Sequence, residues 1–152
     1  MRIEPVDAAS PGAQALISAY VEEIAATFPA GFDPAASVSA DPDELTPPHG
    51  TFLVVRDDAG AAVGCGGVKL LEATTAEIKR MWLHPSTRGR GYGAALLEAL
   101  EQAARDLGAT EGRLDTNGML TAAIALYERH GWCEVAAYND NAYATHWFAK
   151  EL

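Results

Sequence analysis

Two cysteines in 152 residues are too few for a disulfide framework, and Cys65 and Cys133 stand in neither a CxxC pair nor a zinc-ligand spacing. Both are expected as free thiols that behave as small hydrophobes in a reducing compartment. The four histidines, His49, His84, His130 and His146, are scattered with no metal-ligand spacing, so no metal is expected. No run approaches the roughly 18 apolar residues of a membrane span, so no membrane partner is expected. The opening Met1-Arg2-Ile3-Glu4-Pro5 lacks the apolar core of a signal peptide, and the expected location is cytoplasmic. Positive charge is also short: 11 Lys and Arg against 21 Asp and Glu leave a formal charge of −10. A surface that acidic repels phosphate backbones, which excludes nucleic acid as a partner.

What is present is apolar substance for one core. Hydrophobic residues make up 49% of the chain, well above what a disordered segment carries. The length fits one domain over residues 1–152, since a chain of about 150 residues buries roughly 70% of its unfolded surface.

Periodicity divides the chain into elements. Met1 to Val6 alternates weakly as an edge strand, and Ala13 to Phe28 carries a helical pattern through Leu16, Ile17, Tyr20, Ile24 and Phe28. Pro29 to Pro48 holds Pro29, Pro34, Pro42, Pro47 and Pro48 with several acids, which reads as a long loop with one short helix. Thr51–Arg56, Ala61–Leu71 and Ala76–His84 read as three strands of an antiparallel meander, the first pair joined by the turn Asp57-Asp58-Ala59-Gly60. Gly64, Gly66 and Gly67 in the second strand point to a bulge or a close backbone approach. Gly91–Leu107 is an amphipathic helix stopped by Gly108, Glu111–Thr116 a strand, and Thr121–His130 a helix closed by Gly131. Trp132–Ala137 and Tyr143–Lys150 complete the pattern as two strands around the turn Asn139-Asp140-Asn141.

The informative stretch runs from Glu77 to Ala94, where a strand ends, a glycine-rich turn follows and a helix begins. A helix start offers backbone N–H groups without internal partners and about half a positive charge from the macrodipole. Glycines let an anion approach that backbone, and Arg88 and Arg90 concentrate positive charge in a chain otherwise short of it. The Walker A pattern GxxxxGK is absent. A GxGxxA match at Gly89, Gly91 and Ala94 exists, yet it follows a meander rather than opening a βαβ unit, and His84 to Arg88 intervene after the strand.

Arg88-x-x-Gly91-x-Gly93 fits the Arg/Gln-x-x-Gly-x-Gly/Ala turn of GNAT N-acetyltransferases, and the chain from about Phe52 to Leu152 resembles that superfamily. The strand AEIKRMWLHP, the turn RGRGYG, the helix AALLEALEQAARDLG, the strand RLDT and the segment TAAIALYERHGW carry the resemblance. It implies an α/β fold, a mixed and mostly antiparallel central sheet flanked by about four helices. It also implies acetyl-CoA as co-substrate in a splayed groove between two central strands. The backbone of Met81, Trp82 and Leu83 would pair with the pantetheine arm, and Arg88, Gly89, Arg90, Gly91, Tyr92, Gly93 and Ala94 would hold the pyrophosphate. Many family members carry an asparagine seven residues before the helix tyrosine, where this chain has Leu120.

Acyl transfer to an amine needs a base for the ammonium, a donor for the oxyanion and an acid for the leaving thiolate. The resemblance places Tyr127 as the acid, Glu77 or Asp115 as the base, and a backbone N–H at Trp82 or Leu83 as the oxyanion donor. Read without it, Tyr127 is a core tyrosine and Glu77 a strand carboxylate paired with Lys79 or Arg80. The acceptor is expected to be a small-molecule or peptide amine. The groups expected around it are Tyr138, Asp140, Tyr143, His146 and Trp147 on one side and Glu22, Glu23 and Asp33 on the other. A homodimer is open as the assembly. The competing reading is an acyl-CoA-binding domain without chemistry, against which Tyr127 argues.

Overall fold

The computed structural model describes residues 1–28 and 41–152; most of the expected proline-rich loop, with Asp33, lies outside the described residues. The first strand, β1 (Arg2–Pro5), leads to α1 (Pro11–Thr27). Ser10 caps α1 by accepting from the Ala13 N–H at 3.3 Å, and Pro11 sits at the first helical position, where its missing N–H costs nothing. A meander of β2 (Gly50–Arg56), β3 (Ala62–Glu72) and β4 (Thr75–Leu83) follows. Asp57 closes its first hairpin, its Oδ1 accepting from the Ala59 and Ala61 N–H groups at 3.0 and 2.9 Å. The second half runs α2 (Tyr92–Asp106), β5 (Glu111–Thr116), α3 (Thr121–Arg129), β6 (Cys133–Val135) and β7 (His146–Glu151).

All seven strands join one sheet in the order β1-β2-β3-β4-β5-β7-β6. Every pairing is antiparallel except β4 with β5, which α2 connects as a crossover. Both faces of the sheet are covered, so β2 reads as a continuous apolar run rather than an alternation. Phe52 and Val54 pack with Ala13 and Leu16 of α1, whereas Leu53 and Val55 pack with Leu96, Leu97 and Leu100 of α2. The glycines of β3 allow that sandwich to close. A Cβ on Gly66 would lie 2.7 Å from Leu100 Cδ1, and one on Gly67 would lie 2.9 Å from Leu45 Cδ2 on the opposite face.

Two expectations change. The described residues hold three α-helices rather than about four, because the proline-limited segments Pro42–Leu45 and Pro85–Thr87 make only single 3₁₀ turns. The last two strands are not a tight hairpin: β6 is three residues long, and the connection 136–145 is irregular. Its asparagines serve other groups, since Asn139 Oδ1 accepts from Trp147 Nε1 at 3.0 Å and Asn141 Oδ1 from the Tyr143 N–H at 3.1 Å. A buried carboxylate fastens the far end of the sheet. Glu101 of α2 accepts from Trp132 Nε1 at 2.9 Å and from Lys150 Nζ of β7 at 3.0 Å. No described helix is long and apolar enough to cross a membrane.

Candidate functional site

The parallel pairing of β4 and β5 stops at Glu77 opposite Arg113, while β4 continues to Leu83 and β5 stays paired with β7 out to Thr116 opposite His146. The two central strands therefore part, and the edge of β4 from Ile78 onward faces a gap. Ladder phase shows which amides face it. The His84 N–H donates to the Val63 carbonyl at 2.8 Å, so alternation turns the backbone groups of Trp82 to β3 and those of Met81 and Leu83 to the gap. Of the two residues expected to offer an oxyanion donor, Leu83 alone has its N–H on that side.

A bulge sets this phase. Gly67 pairs with Lys79 and Cys65 with Trp82, so Arg80 and Met81 together oppose Gly66. Arg80 takes φ of 55°, a left-handed conformation that costs a non-glycine residue roughly 1–2 kcal/mol. The extra residue puts Ile78, Met81 and Leu83 on the α2 side of the sheet and Trp82 on the α1 side. The sequence does carry a trace of this in apolar positions spaced by three and then two.

Beyond β4 the chain turns into α2. Gly89 and Gly91 have φ of 75° and 82°, and a Cβ at either would meet no protein atom within 4 Å. They are glycines for backbone conformation, and the space beside them is open. Among the described residues, no acceptor takes the N–H groups from Gly89 to Ala94, and the helix has no side-chain cap. Six donors thus line a cradle at the positive end of a 15-residue helix. Gly93 serves packing instead, since a Cβ there would lie 3.3 Å from Leu126 of α3.

The two arginines of the turn differ. Arg90 is exposed, its guanidinium 5.5 Å from the centre of the Tyr92 ring. Arg88 is turned back: its Nε and Nη2 donate to the Leu83 carbonyl at 3.0 and 2.8 Å, and Nη2 to Glu23 Oε2 at 2.5 Å. Glu23 also accepts from Trp82 Nε1 at 3.0 Å, so this acid of the expected acceptor side ties α1 to the end of β4.

Tyr127 is 7% exposed and packs its ring against Trp132 and Phe148, at centroid distances of 6.4 and 6.1 Å. Its hydroxyl makes no hydrogen bond among the described residues. Yet Glu77 Oε1 is the one side-chain polar atom among them that is both sealed from solvent and without a hydrogen bond, so the phenol tip keeps access to solvent. Burial raises its pKa above the ordinary phenol value, and the negative ends of Tyr20 and Asp115 add to the rise.

The two candidate bases separate. Glu77 is 1% exposed, accepts from the Tyr138 hydroxyl at 2.5 Å and faces Lys79 Nζ at 3.1 Å. Its carboxylate does not line the gap. The phenol of Tyr138 is pushed strongly upward by burial and by the Glu77 charge, so this pair is a neutral donor on a carboxylate. Asp115 does line the gap, held by Asn139 Nδ2 at 2.7 Å and Asn141 Nδ2 at 3.3 Å. On the α1 side the parted strands open into a cleft of about 650 Å³ including its mouth. Tyr20, Ile24 and Phe28 of α1 form one wall, Phe28 stacking on Tyr143 at 5.6 Å. Tyr20 is held at a pKa of about 12 by burial, with Arg80 opposing the rise and Asp115 adding to it, which places both charges near its hydroxyl. Tyr20, Arg80, Asn117 and Asn141 were not singled out from sequence, because they lie on four separate segments and share no spacing. Leu120, at the expected asparagine position, contributes an apolar side to the same cleft.

Known proteins share these features. Residues 17–132 match the family model described as Acetyltransferase (GNAT) family. A putative acyl-CoA N-acyltransferase from Klebsiella pneumoniae superimposes with a TM-score of 0.81 at 31% identity, covering 99% of this chain and 97% of that one. A GNAT family acetyltransferase from Elizabethkingia anophelis, solved with acetyl-CoA bound, shares the fold at a TM-score of 0.68 and 16% identity, covering 99% of this chain and 97% of that one. An uncharacterized N-acetyltransferase of Schizosaccharomyces pombe is 35% identical over 96 residues, 62% of this chain, and the match spans 59% of that relative's length. With more than two thirds of its length matched by the family model and the same parted sheet and glycine turn, this chain belongs to the acetyltransferase (GNAT) family.

Proposed function

We propose that the chain transfers an acetyl group from acetyl-CoA directly to a primary amine while both are bound. One observation carries the reading. The gap-facing edge of β4 leads without interruption into the six free N–H groups of Gly89 to Ala94, a strand edge for the two pantetheine amides and a cradle for the pyrophosphate. The residues fit that co-substrate: a Cβ would occupy the cradle at Gly89 or Gly91, and no protein atom does. A neighbour of the same fold is named as binding acetyl-CoA, which supports the assignment.

The coenzyme supplies an activated thioester, and the chain's own groups do the rest. Asp115 is the carboxylate that borders the cleft, so it takes the proton that the acceptor ammonium must lose before its lone pair can attack. The Leu83 N–H, turned to the gap, donates to the oxyanion as the carbonyl becomes tetrahedral. The C–S bond then breaks, and Tyr127 gives its proton to the departing sulfur. Proton transfer from an ordinary phenol of pKa about 10 to a thiolate of pKa about 8.5 is uphill by roughly 2 kcal/mol in water. Burial makes the Tyr127 phenol a weaker acid, but the same dry surroundings disfavour the thiolate, so both ends of the transfer rise together. Glu77 has a structural part instead. With Lys79 and Tyr138 it fixes the point where the two strands part.

The test follows free thiol release from acetyl-CoA across a panel of small amines and peptide N-termini. Turnover with at least one amine is expected, and Asp115→Asn should lower it more at neutral pH than at alkaline pH, where the amine deprotonates unaided. Tight coenzyme binding with no transfer to any amine would favour an acyl-CoA-binding module instead.

A further inference from the structure

We propose that Arg80 recognises the acceptor and that the acceptor carries a carboxylate beside its amine: an amino acid with an aromatic or large apolar side chain. The inference rests on the acyl-transfer reading above and names the substrate class of the same cleft.

Charge pairing is the first ground. The cations around the site have partners: Lys79 faces Glu77 at 3.1 Å, Arg88 Glu23 at 2.5 Å, Lys69 Glu44 at 2.9 Å and Arg113 Glu111 at 3.0 Å. Arg80 lines the cleft half-buried, and among the described residues its guanidinium has neither an ion pair nor a hydrogen bond. In a chain with 21 acids against 11 bases, a cation left without an acid is not a product of composition. A guanidinium carries five donors in a planar fork that matches a carboxylate.

The opposite wall is the second ground. Asp115 also borders the cleft, from β5, and its oxygens are held by the neutral amides of Asn139 and Asn141 rather than by a cation. Arg80 and Asp115 thus present one positive and one negative group from the two parted strands, each uncompensated by the other. That arrangement fits a zwitterion, its ammonium toward Asp115 and its carboxylate toward Arg80. The rest of the wall is apolar or aromatic, from Ile24, Phe28, Leu120 and Tyr143, and suits the side chain of such an acid. The bulge fixes where Arg80 leaves the strand, so the guanidinium is aimed by the backbone.

The experiment compares phenylalanine and methionine with their carboxamides as acetyl acceptors, using wild type, Arg80→Asn and Arg80→Lys. Asparagine tolerates the left-handed backbone at this position and removes the charge. Rates are expressed per free amine, because the carboxamide amine is the weaker base. Wild type should prefer the acids at least tenfold in kcat/KM. Arg80→Asn should erase that preference through a raised KM for the acids, with kcat and the carboxamide rates nearly unchanged, and Arg80→Lys should keep part of it. Equal use of acid and carboxamide by wild type, or a uniform loss on both in Arg80→Asn, overturns the proposal and returns Arg80 to a solvated side chain. A parallel calorimetric titration with phenylalanine, coenzyme A present, separates the two readings. Binding that weakens tenfold or more in Arg80→Asn without any acetyl transfer would uphold the substrate class and overturn the acyl-transfer function. Absence of phenylalanine binding together with transfer to other amines would do the reverse.

Discussion

The two sides of the parted sheet are built from different material. Toward α2, the site is main chain: the Leu83 N–H, the edge of β4 and six N–H groups held open by glycines of positive φ. Toward α1, it is side chains drawn from four segments: Tyr20, Arg80, Asp115 and Tyr143. A site made of backbone tolerates most substitutions around it but fails when a glycine gains a Cβ, because both the turn and the space depend on the missing atom. A site made of side chains can change what it accepts one residue at a time while the fold stays. One side is suited to a constant co-substrate and the other to a variable acceptor.

Glu77, at the junction of the two sides, gives the largest expected effect. Glu77→Gln removes the charge facing the Lys79 ammonium in a buried position, and breaking a buried pair costs about 3–5 kcal/mol. Urea unfolding should show that loss. A variant of unchanged stability whose acetyl transfer collapses would instead make Glu77 the base and move it to the acceptor side of the comparison. Second in size is Gly91→Val. It places a β-branched residue at φ of 82° and a side chain in the cradle, so acetyl-CoA affinity should fall several hundredfold, about 3.5 kcal/mol, by calorimetry. Gly91→Asn, which keeps the left-handed backbone, should still weaken binding. If it binds like wild type, the cradle does not hold the pyrophosphate.

Tyr127→Phe is the sharpest test, because it removes one oxygen and leaves the ring on Trp132 and Phe148. Coenzyme affinity and stability should hold while kcat drops about a hundredfold, roughly 2.7 kcal/mol. The pH profile carries a sign. Burial raises this phenol above the ordinary value near 10, so the acid is intact at and below pH 10, and loss of rate from its ionisation begins only above that. A falling limb near pH 8 that disappears in the variant would assign the wrong pKa to the group. Normal turnover with chemistry limiting would make Tyr127 a packing residue.

The same contrast accounts for what the sequence disclosed. The turn from Arg88 to Ala94 is contiguous, and its glycines are where the backbone needs positive φ, so six letters carry the geometry. The helices and strands of the second half fall within a few residues of expectation because their apolar spacing is regular. The acceptor side was not legible, since Tyr20 and Asp115 become neighbours only when α1 lies over the parted strands. Nor could composition separate Glu77 from Asp115: both are acids on strands, and only burial against Tyr138 and Lys79 distinguishes the first. Asn139 suggests a hairpin turn because asparagine favours turns. Its side chain is in fact a donor to Asp115.

The bulge at Arg80 makes β4 unusually sensitive to chain length. Deleting any single residue between Lys79 and Trp82 would restore strict alternation and exchange the two faces for everything beyond. Met81 and Leu83 would leave the α2 core, and Leu83 would point its amide at β3. A one-codon deletion here would therefore shift the reading of the strand in space much as a frameshift does in a message, while a one-codon deletion at the Asp57–Gly60 hairpin tip would only shorten a loop. Variation in length along this chain should accordingly collect in its loops and spare this strand, whatever the side chains on it become.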